Sequence, residues 1–309
     1  MELGSPSANY SDKTASPQAN FDPTLAGENS MPFAQVTPSE TLGEHKDVSI
    51  LFSDISGYSN LAGSIEHEEM SSLLNKYFEA MGDAVFKYKQ ALKQQINSAC
   101  IGNRILVVFG SPEPLDDHAW CAVQTALDMN QYLAEFNAGR EAVNKPIVKI
   151  GIGINTDKVF SSNLVANRGM DFMAIGAGVH LGYRLEGVCK QYGCSIVISE
   201  NTYQRCTERV WVRELDSIRV QGNHRAVAVY ELLGLRSQSI SEQKQKVLDH
   251  YYKGREYYLK RKFAIAMGEF ATVMEIDSSD KAAAIQLKRC QHWIKSPPPE
   301  DWDGAWTLS

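Results

Sequence analysis

Two short stretches of the chain place polar side chains at the ends of apolar strands, where they could do chemistry. One stretch, LFSDISGYS, ends an apolar run at Asp54. The other, SACIGNRILVVFG, turns at Gly102-Asn103, and Arg104 follows. A carboxylate such as Asp54 can cap a turn or bind a hard metal cation. Asn103 tolerates the positive φ of a tight hairpin turn, and its amide oxygen can bind a cation without supplying negative charge.

An alternation of strands and helices must position these side chains. Before the hairpin, DVSILFSDI is a short strand and HEEMSSLLNKYFEAMGDAVFKY is a helix with apolar residues at helical spacing. After it, a second helix is predicted from about Asp117 to Phe136, and GVHLGYRLEGVCKQYG is a third helix closed by Gly193. The pattern predicts VKIGIGIN as an alternating strand paired with KVFSSNLV, and then four short strands: SIVIS, VWVREL, SIRVQG and AVAVYELLG. The order βαββαβ plus a final hairpin indicates an α+β fold, a ferredoxin-like sheet with helices on one side.

Composition limits the classes of function. The chain has 309 residues, of which 43% are hydrophobic and 22% charged, and its net charge is −6. This balance argues against a general nucleic-acid or anionic-membrane surface. No apolar run is long enough for a transmembrane segment. The six cysteines form no CxxC pair, so we expect buried free thiols in a reducing cytoplasm.

The chain divides into four segments by composition. Residues 1–45 are rich in Ser, Pro, Ala, Asn and Gly and are predicted to be a disordered tail. Residues 46–236 carry the strands and helices described above, and residues 237–296 are helical and polar. The small and aromatic residues of this helical segment are spaced as in one tetratricopeptide (TPR) repeat, which must dock on the main domain or on a partner to bury its face. Residues 297–309 form a proline-containing tail.

Aromatic residues are concentrated at this C-terminal end. The tail contains Trp302 and Trp306, which predict that it is anchored somewhere. The tyrosines of the helical segment fit ordinary helix packing, with a partner-binding face as the alternative reading. A protein partner is expected to bind through the C-terminal helices and the Trp tail.

Five separated motifs resemble the class III adenylyl/guanylyl cyclase catalytic domain. They occur in that family's order and spacing: LFSDISGYS (51–59), IGNRILVVFG (101–110), IGIGINT (150–156), MDFMAIGAGVHLGYRLE (170–186) and IRVQG (218–222). The resemblance covers residues 46 to 234, and the C-terminal helices and tail look like those of bacterial, particularly cyanobacterial, cyclases. It implies a fold that forms sites between two antiparallel subunits. It also implies a reaction in which two Mg²⁺ or Mn²⁺ ions promote attack of a ribose 3′-oxygen on an α-phosphate.

The metal positions of the family are only partly retained. Asp54 matches the first metal-binding aspartate. The second metal position, at the hairpin turn, falls on Asn103, which lacks the charge. Arg104 brings a positive charge where the family has a small residue. We therefore expect no resident cofactor, with Mg²⁺ or Mn²⁺ at Asp54 only if residual activity exists.

The positions that hold the nucleotide are altered as well. The two base-reading positions are Ala99 and Met173, neither of which can recognise a base edge. His180 stands at the position of the ribose-holding Asn. Two interpretations are possible: His180 is simply packed, or it acts as a new ligand or base. Arg184 matches the arginine that stabilises the transition state. Polar or bulkier residues replace the late phosphate-binding lysines and two glycines of the nucleotide-facing turn: Gln221, Asn223, Ser162 and Val165.

Because metal charge, base recognition and phosphate neutralisation change together, the sequence favours a degenerate, catalytically inactive cyclase-homology protein. Such a protein would act by forming a homodimer, or a heterodimer with another cyclase-type subunit, and by binding partners in intracellular signalling. Two alternatives stay open. One is an active adenylate cyclase with weak or relaxed specificity, and the other is a nucleotide sensor without turnover.

Overall fold

The computed structural model describes residues 44–92, 96–101, 103–166, 169–219 and 226–307. Most of the predicted N-terminal tail, residues 1–43, therefore lies outside the described residues, as do Gly102, Gln221 and Asn223. Within the described ranges the chain forms strands and helices in this order: β1 (Glu44–Ile55), α1 (Tyr58–Ser64), α2 (His67–Leu92), β2 (Ile96–Ile101), β3 (Arg104–Pro112), α3 (His118–Glu141), β4 (Ile150–Ala166), β5 (Gly169–Ile175), α4 (Ala177–Tyr192), β6 (Ile196–Ser199), α5 (Glu200–Cys206), β7 (Val210–Arg219), β8 (Val227–Leu235), α6 (Glu242–Leu259), α7 (Phe263–Ile276), α8 (Lys281–Lys295) and β9 (Trp306–Thr307).

The strands form one mixed sheet, and the predicted α+β class is confirmed. The strand order is β2-β3-β1-β4-β6-β8-β7-β9, and β5 pairs with β4 outside this path. Strand β1 lies between β3 and β4 and runs antiparallel to both. Because β1 ends at the same edge at which β3 begins, the end of β1 lies beside the turn that precedes β3.

Strand β4 corrects one prediction. The pattern predicted two paired strands, VKIGIGIN and KVFSSNLV, whereas β4 runs through both without a turn. Its second half pairs with β5, with Phe160 opposite Ile175. A polar residue in its middle is held within the fold, since buried Asn155 donates from Nδ2 to the Gly178 carbonyl oxygen at 2.8 Å, whereas its Oδ1 has no hydrogen-bond partner among the described residues. VWVREL and the first three residues of SIRVQG, predicted as two strands, are likewise parts of the single strand β7, and the rest of SIRVQG lies outside the described residues.

The helices cover both faces of the sheet, so the prediction of helices on one side is wrong. On one face, Leu51 of β1 and Ile152 of β4 share a core with α2 and α3. On the other face, Leu185 of α4 and Val197 of β6 share a second core with α6, α7 and α8. Successive strand residues point to opposite faces, and both rows of side chains here are small or apolar.

Glycine in β4 brings α4 close to the sheet. A Cβ atom at Gly153 would lie 2.5 Å from the backbone nitrogen of Glu186 and 2.6 Å from the carbonyl oxygen of Gly182. Both neighbours are backbone atoms of α4 and cannot move aside. The GIGIN motif therefore sets how closely α4 approaches, and α4 ends as predicted at Gly193, which has a φ of 71°.

The helical predictions hold in part. On α2, Tyr77 and Met81 are buried as the apolar spacing indicates, but Phe86 is 52% exposed. Helix α3 continues past the predicted end to Glu141. No helix in the described ranges is both long and apolar enough to cross a membrane. The six cysteines are free thiols, but Cys100 is exposed rather than buried.

The C-terminal helices and tail are docked on the chain itself. The Trp302 ring packs edge-on against Tyr258 at a centroid distance of 5.3 Å. Trp306 pairs in β9 with Ile218 of β7, and the Arg289 guanidinium lies 4.1 Å from its ring centroid. The tail is therefore anchored, as predicted, and its anchor lies on its own chain. Tyr251 and Tyr258 are buried, which confirms ordinary helix packing for these two tyrosines.

Candidate functional site

Asp54 lies near the end of β1, directly opposite Arg104 at the start of β3. Its carboxylate is buried, with 3% of the residue exposed. The amide nitrogen Nδ2 of Asn103 donates a hydrogen bond to Asp54 Oδ1. The structure therefore brings together the two predicted metal positions and Arg104, because the antiparallel register of β1 and β3 sets them side by side.

Two cations neutralise the Asp54 carboxylate. Lys190 Nζ of α4 donates to Asp54 Oδ2 at 3.2 Å. Arg104 Nε forms an ion pair with the same oxygen at 3.4 Å. The guanidinium of Arg104 also lies 4.8 Å from the ring centroid of Tyr183, which packs edge-on against Phe52. Asp54 is thus fully engaged with groups of its own chain.

Lys190 joins a second buried carboxylate to this cluster. Its Nζ lies 3.1 Å from Glu186 Oε1, one helical turn earlier on α4. Burial raises the pKa of Glu186 above its ordinary value, although the hydrogen bond from Lys190 lowers it. Burial tends to lower the pKa of Lys190, but its bonds to Glu186 and Asp54 outweigh that effect and raise it. The sequence interpretation missed both residues. Their i, i+4 spacing on a helix that must cross β1 was the available signal.

An open cleft of about 350 Å³ adjoins Asp54. Its lining includes Arg104, Lys190 and the residues that follow β1: Gly57, Tyr58, Ser59 and Asn60. Two cations and one carboxylate line this space, and Glu186 beside Lys190 balances the second cation, so the lining offers no excess negative charge to attract a divalent cation.

The pair of divalent cations implied by the resemblance does not fit these residues. Mg²⁺ and Mn²⁺ require several hard oxygen ligands, and a pair requires more than one carboxylate. Asp54 is the one carboxylate in the lining of the cleft. Asn103 turns its amide nitrogen, not its oxygen, toward it. No group of three or more His, Cys, Asp or Glu in the described ranges could hold a metal ion.

The other predicted site residues do not join this cluster. Arg184 and His180 are exposed on α4 and make no ion pair within the described residues. The reading of His180 as a packed residue is therefore wrong, because the buried positions of α4, such as Gly178 and Gly182, lie on its other side. Ala99 is exposed on edge strand β2, opposite Leu106.

The two base-reading positions lie on different parts of the sheet. Met173 is on β5, in register with Ser162 of β4. Strands β3, β1 and β4 separate β5 from β2, which carries Ala99. A single chain therefore does not place these two positions side by side.

A second polar network lies at the opposite end of β1. Ser49 Oγ is 2.9 Å from His118 Nδ1, and His118 Nε2 is 3.9 Å from an oxygen of Asp47. These residue types suit nucleophilic catalysis. Ser49 is fully buried, however, and its hydroxyl is also hydrogen-bonded to Thr156 Oγ1 at 2.6 Å. Burial lowers the pKa of His118. No substrate can reach Ser49, so this network is structural.

Comparison with known proteins relates the fold to its functional class. The family model "Adenylate and Guanylate cyclase catalytic domain" matches residues 41–234. The chain is 31% identical over 192 residues to an adenylate cyclase of Anabaena cylindrica, covering 60% of this chain and 36% of that protein. It is 25% identical over 190 residues to adenylate cyclase 1 of Rhizobium meliloti, covering 62% and 28%. The chain thus spans about a third of the length of these curated relatives.

Solved structures share the same domain. The adenylyl cyclase CyaB from P. aeruginosa is 28% identical, with a TM-score of 0.56, and the match covers 64% of this chain and 99% of that one. The guanylyl cyclase Cya2 is 27% identical, with a TM-score of 0.56 and coverage of 62% and 94%. In both cases the similarity covers nearly the whole solved chain.

Proposed function

The chain belongs to the adenylate and guanylate cyclase catalytic domain family, and from that premise we propose that it is a catalytically silent member acting by dimerisation and partner binding. The partner subunit would be a second copy of this chain or another cyclase-type subunit. The protein would serve intracellular signalling as a binding component, and the C-terminal helices would recruit further partners.

One observation carries the proposal. Asp54 is buried, and its two oxygens are taken by Asn103, Lys190 and Arg104. A cyclase reaction needs metal-bound oxygens to activate the attacking hydroxyl and to hold the triphosphate. With one carboxylate that is already neutralised, this cleft lacks the anionic ligands for that step. We propose accordingly that no divalent cation resides at Asp54.

The residues expected to hold the nucleotide support the same conclusion. Ala99 and Met173 carry no group that could hydrogen-bond a base. His180 replaces the asparagine expected at the ribose-holding position. Removing one stabilising contact from an active site costs about 10²- to 10³-fold in rate, so several losses together leave negligible turnover.

The retained surfaces support a role in binding. Arg184 and His180 are exposed on α4, so both are accessible to a second subunit. The core on both faces of the sheet is intact, which preserves the shape of the domain. Binding needs this shape, whereas catalysis needs the ligands that are missing.

The test measures product and mass on the same preparation. The full chain is incubated with ATP or GTP and with Mn²⁺ or Mg²⁺, and cyclic nucleotide is quantified by mass spectrometry. We expect no product above that of heat-inactivated protein, and a dimer by light scattering. Product that disappears in Asp54→Asn would overturn the proposal in favour of an active adenylate cyclase. Heat on titration with ATP, GTP or a cyclic nucleotide, without turnover, would favour the nucleotide sensor.

A further inference from the structure

A groove lies where the start of α7 meets the end of α8, far in sequence from the Asp54 cleft. It has a volume of about 580 Å³. Its lining is largely apolar: Phe263, Ala264, Ile265, Trp293, Ile294, Pro297 and Pro298, with Arg261 and Lys262 at one side.

Two large aliphatic side chains in this groove face solvent. Ile265 is 51% exposed and Ile294 is 47% exposed. An isolated exposed isoleucine is ordinary, but two of them in one apolar groove form a patch of the kind that marks a binding site. Covering them would remove apolar surface from water and favour association.

The groove is held in shape before anything binds. Trp293 Nε1 donates to the hydroxyl of Tyr258 at 2.9 Å, and its ring packs against Trp302 at a centroid distance of 5.9 Å. Arg261 Nη2 donates to the carbonyl oxygens of Pro299 and Glu300 at 2.6 and 2.8 Å. A preformed groove lowers the entropy cost of binding a peptide segment.

The charge of the groove selects an acidic occupant. Arg261 and Lys262 are the charged residues in the lining, and no carboxylate is among them. Lys262 is exposed and forms no salt bridge within the described part of the chain. An occupant that brings carboxylates beside large apolar side chains would match both the cations and the isoleucines.

The chain itself contains such a segment before β1. Residues 1–43 contain five carboxylates (Glu2, Asp12, Asp22, Glu28 and Glu40) and a single Lys13. Within them, residues 21–33 read FDPTLAGENSMPF, with an aromatic residue at each end and two carboxylates between. We propose that this segment docks in cis in the groove, with a phenylalanine against the isoleucines and a carboxylate beside Lys262.

The length of the chain permits this placement. Ten residues lie between Phe33 and Glu44, where β1 begins, so eleven Cα–Cα steps join the two. An extended chain of that length spans about 36 Å, against a radius of gyration of about 19 Å for a compact chain of this size. The inference is independent of catalytic activity, because neither the groove nor the segment contains a residue of the Asp54 cleft.

The experiment is zero-length carbodiimide cross-linking of the full chain, followed by peptide mass spectrometry. We expect an amide cross-link between Lys262 and Asp22 or Glu28. The substitution Ile265→Asp should reduce the yield of this cross-link about fivefold, which is the effect that losing one exposed contact has on the docking equilibrium. The double change Asp22→Lys and Glu28→Lys should abolish the cross-link. Combining it with Lys262→Glu should restore a cross-link, now between a lysine of the segment and the carboxylate at position 262.

Lys253, an exposed lysine of α6 outside the groove, is the matched control. It should not cross-link to residues 21–33, and Lys253→Glu should leave the Lys262 cross-link unchanged. Absence of the Lys262 cross-link, equal cross-linking at Lys253, or a cross-link formed only between copies in an isotopically mixed sample would overturn the proposal. Because Ile265 and Lys262 are exposed, every groove variant should fold, and its melting temperature should fall by no more than the loss of the docked segment accounts for.

Discussion

Two buried aspartates of this chain each pair with two cations, but the cations of the two clusters differ in how far they are exposed to water. Asp54 pairs with Lys190 and Arg104, whose side chains are 43% and 40% exposed. Asp216 of β7 pairs with Arg255 and Arg289, whose side chains are only 4% and 5% exposed. The first cluster opens onto a cleft, whereas the second lies between the sheet and the C-terminal helices.

The difference in exposure separates an adaptable cluster from a structural one. Water and salt screen Lys190 and Arg104, so their attraction to Asp54 is weak and their side chains can rearrange. The cations around Asp216 are almost completely removed from water. The hydroxyl of Tyr192 of α4 donates a further hydrogen bond to Asp216 Oδ2 at 2.5 Å. This second network joins α4, α6, α8 and β7. The C-terminal helices are therefore an integral part of the fold.

The largest expected effect tests this contrast directly. Asp216→Asn should reduce the free energy of unfolding by about 3–5 kcal/mol, because it leaves buried Arg289 without a counter-charge and buried Arg255 with Glu214 alone. The matched variant Asp54→Asn should cost no more than about 1 kcal/mol, because water can solvate its partners. Urea denaturation followed by circular dichroism measures both values. Equal losses in the two variants would contradict the distinction between the clusters.

Sequence patterns were sufficient for the part of the site that is local. Asp54 lies near the end of one apolar strand, and Asn103 directly precedes another strand that runs in the opposite direction. Their proximity follows from the hairpin pattern and the family resemblance. Helix α4 and its end at Gly193 also follow from the apolar spacing and a C-terminal glycine. The continuous β4 was missed, since Asn155 and Thr156 interrupt the apolar pattern and their buried partners are distant in sequence.

Long-range charge pairs could not be predicted in this way. Lys190 is 136 positions from Asp54, and Arg289 is 73 positions from Asp216. Each of these cations lies on an amphipathic helix, where a charged side chain is usually exposed. Only the packing of the helices on the sheet determines which charged residues become buried.

A smaller effect is expected from restoring a carboxylate at the hairpin. Asn103→Asp removes the amide donor to Asp54 and sets two carboxylates side by side. In EDTA this should cost about 1 kcal/mol, a fall of about 2–4 °C in melting temperature. Mn²⁺ should reverse the fall in the variant and leave the wild-type melting temperature unchanged, as measured by differential scanning fluorimetry. A wild-type protein that Mn²⁺ stabilises as strongly would show that Asp54 already binds metal.

The smallest effect is a pH dependence within the Asp54 cluster. Burial raises the pKa of Glu186 above 4.5, so the folded chain holds this proton more tightly than the unfolded chain does. The contribution of Glu186 to stability therefore falls as pH rises from about 4.5 through its folded pKa.

Glu186→Gln removes this titration, so the melting temperature of the variant minus that of the wild type should increase over that range and then stay constant. The corresponding difference for Glu256→Gln, at an exposed site on α6, should decrease with pH instead, and only below about 4.5, because its bond to Lys260 lowers the pKa of Glu256. A Glu186→Gln difference that is flat or decreases with pH would show that Lys190 outweighs burial at this position.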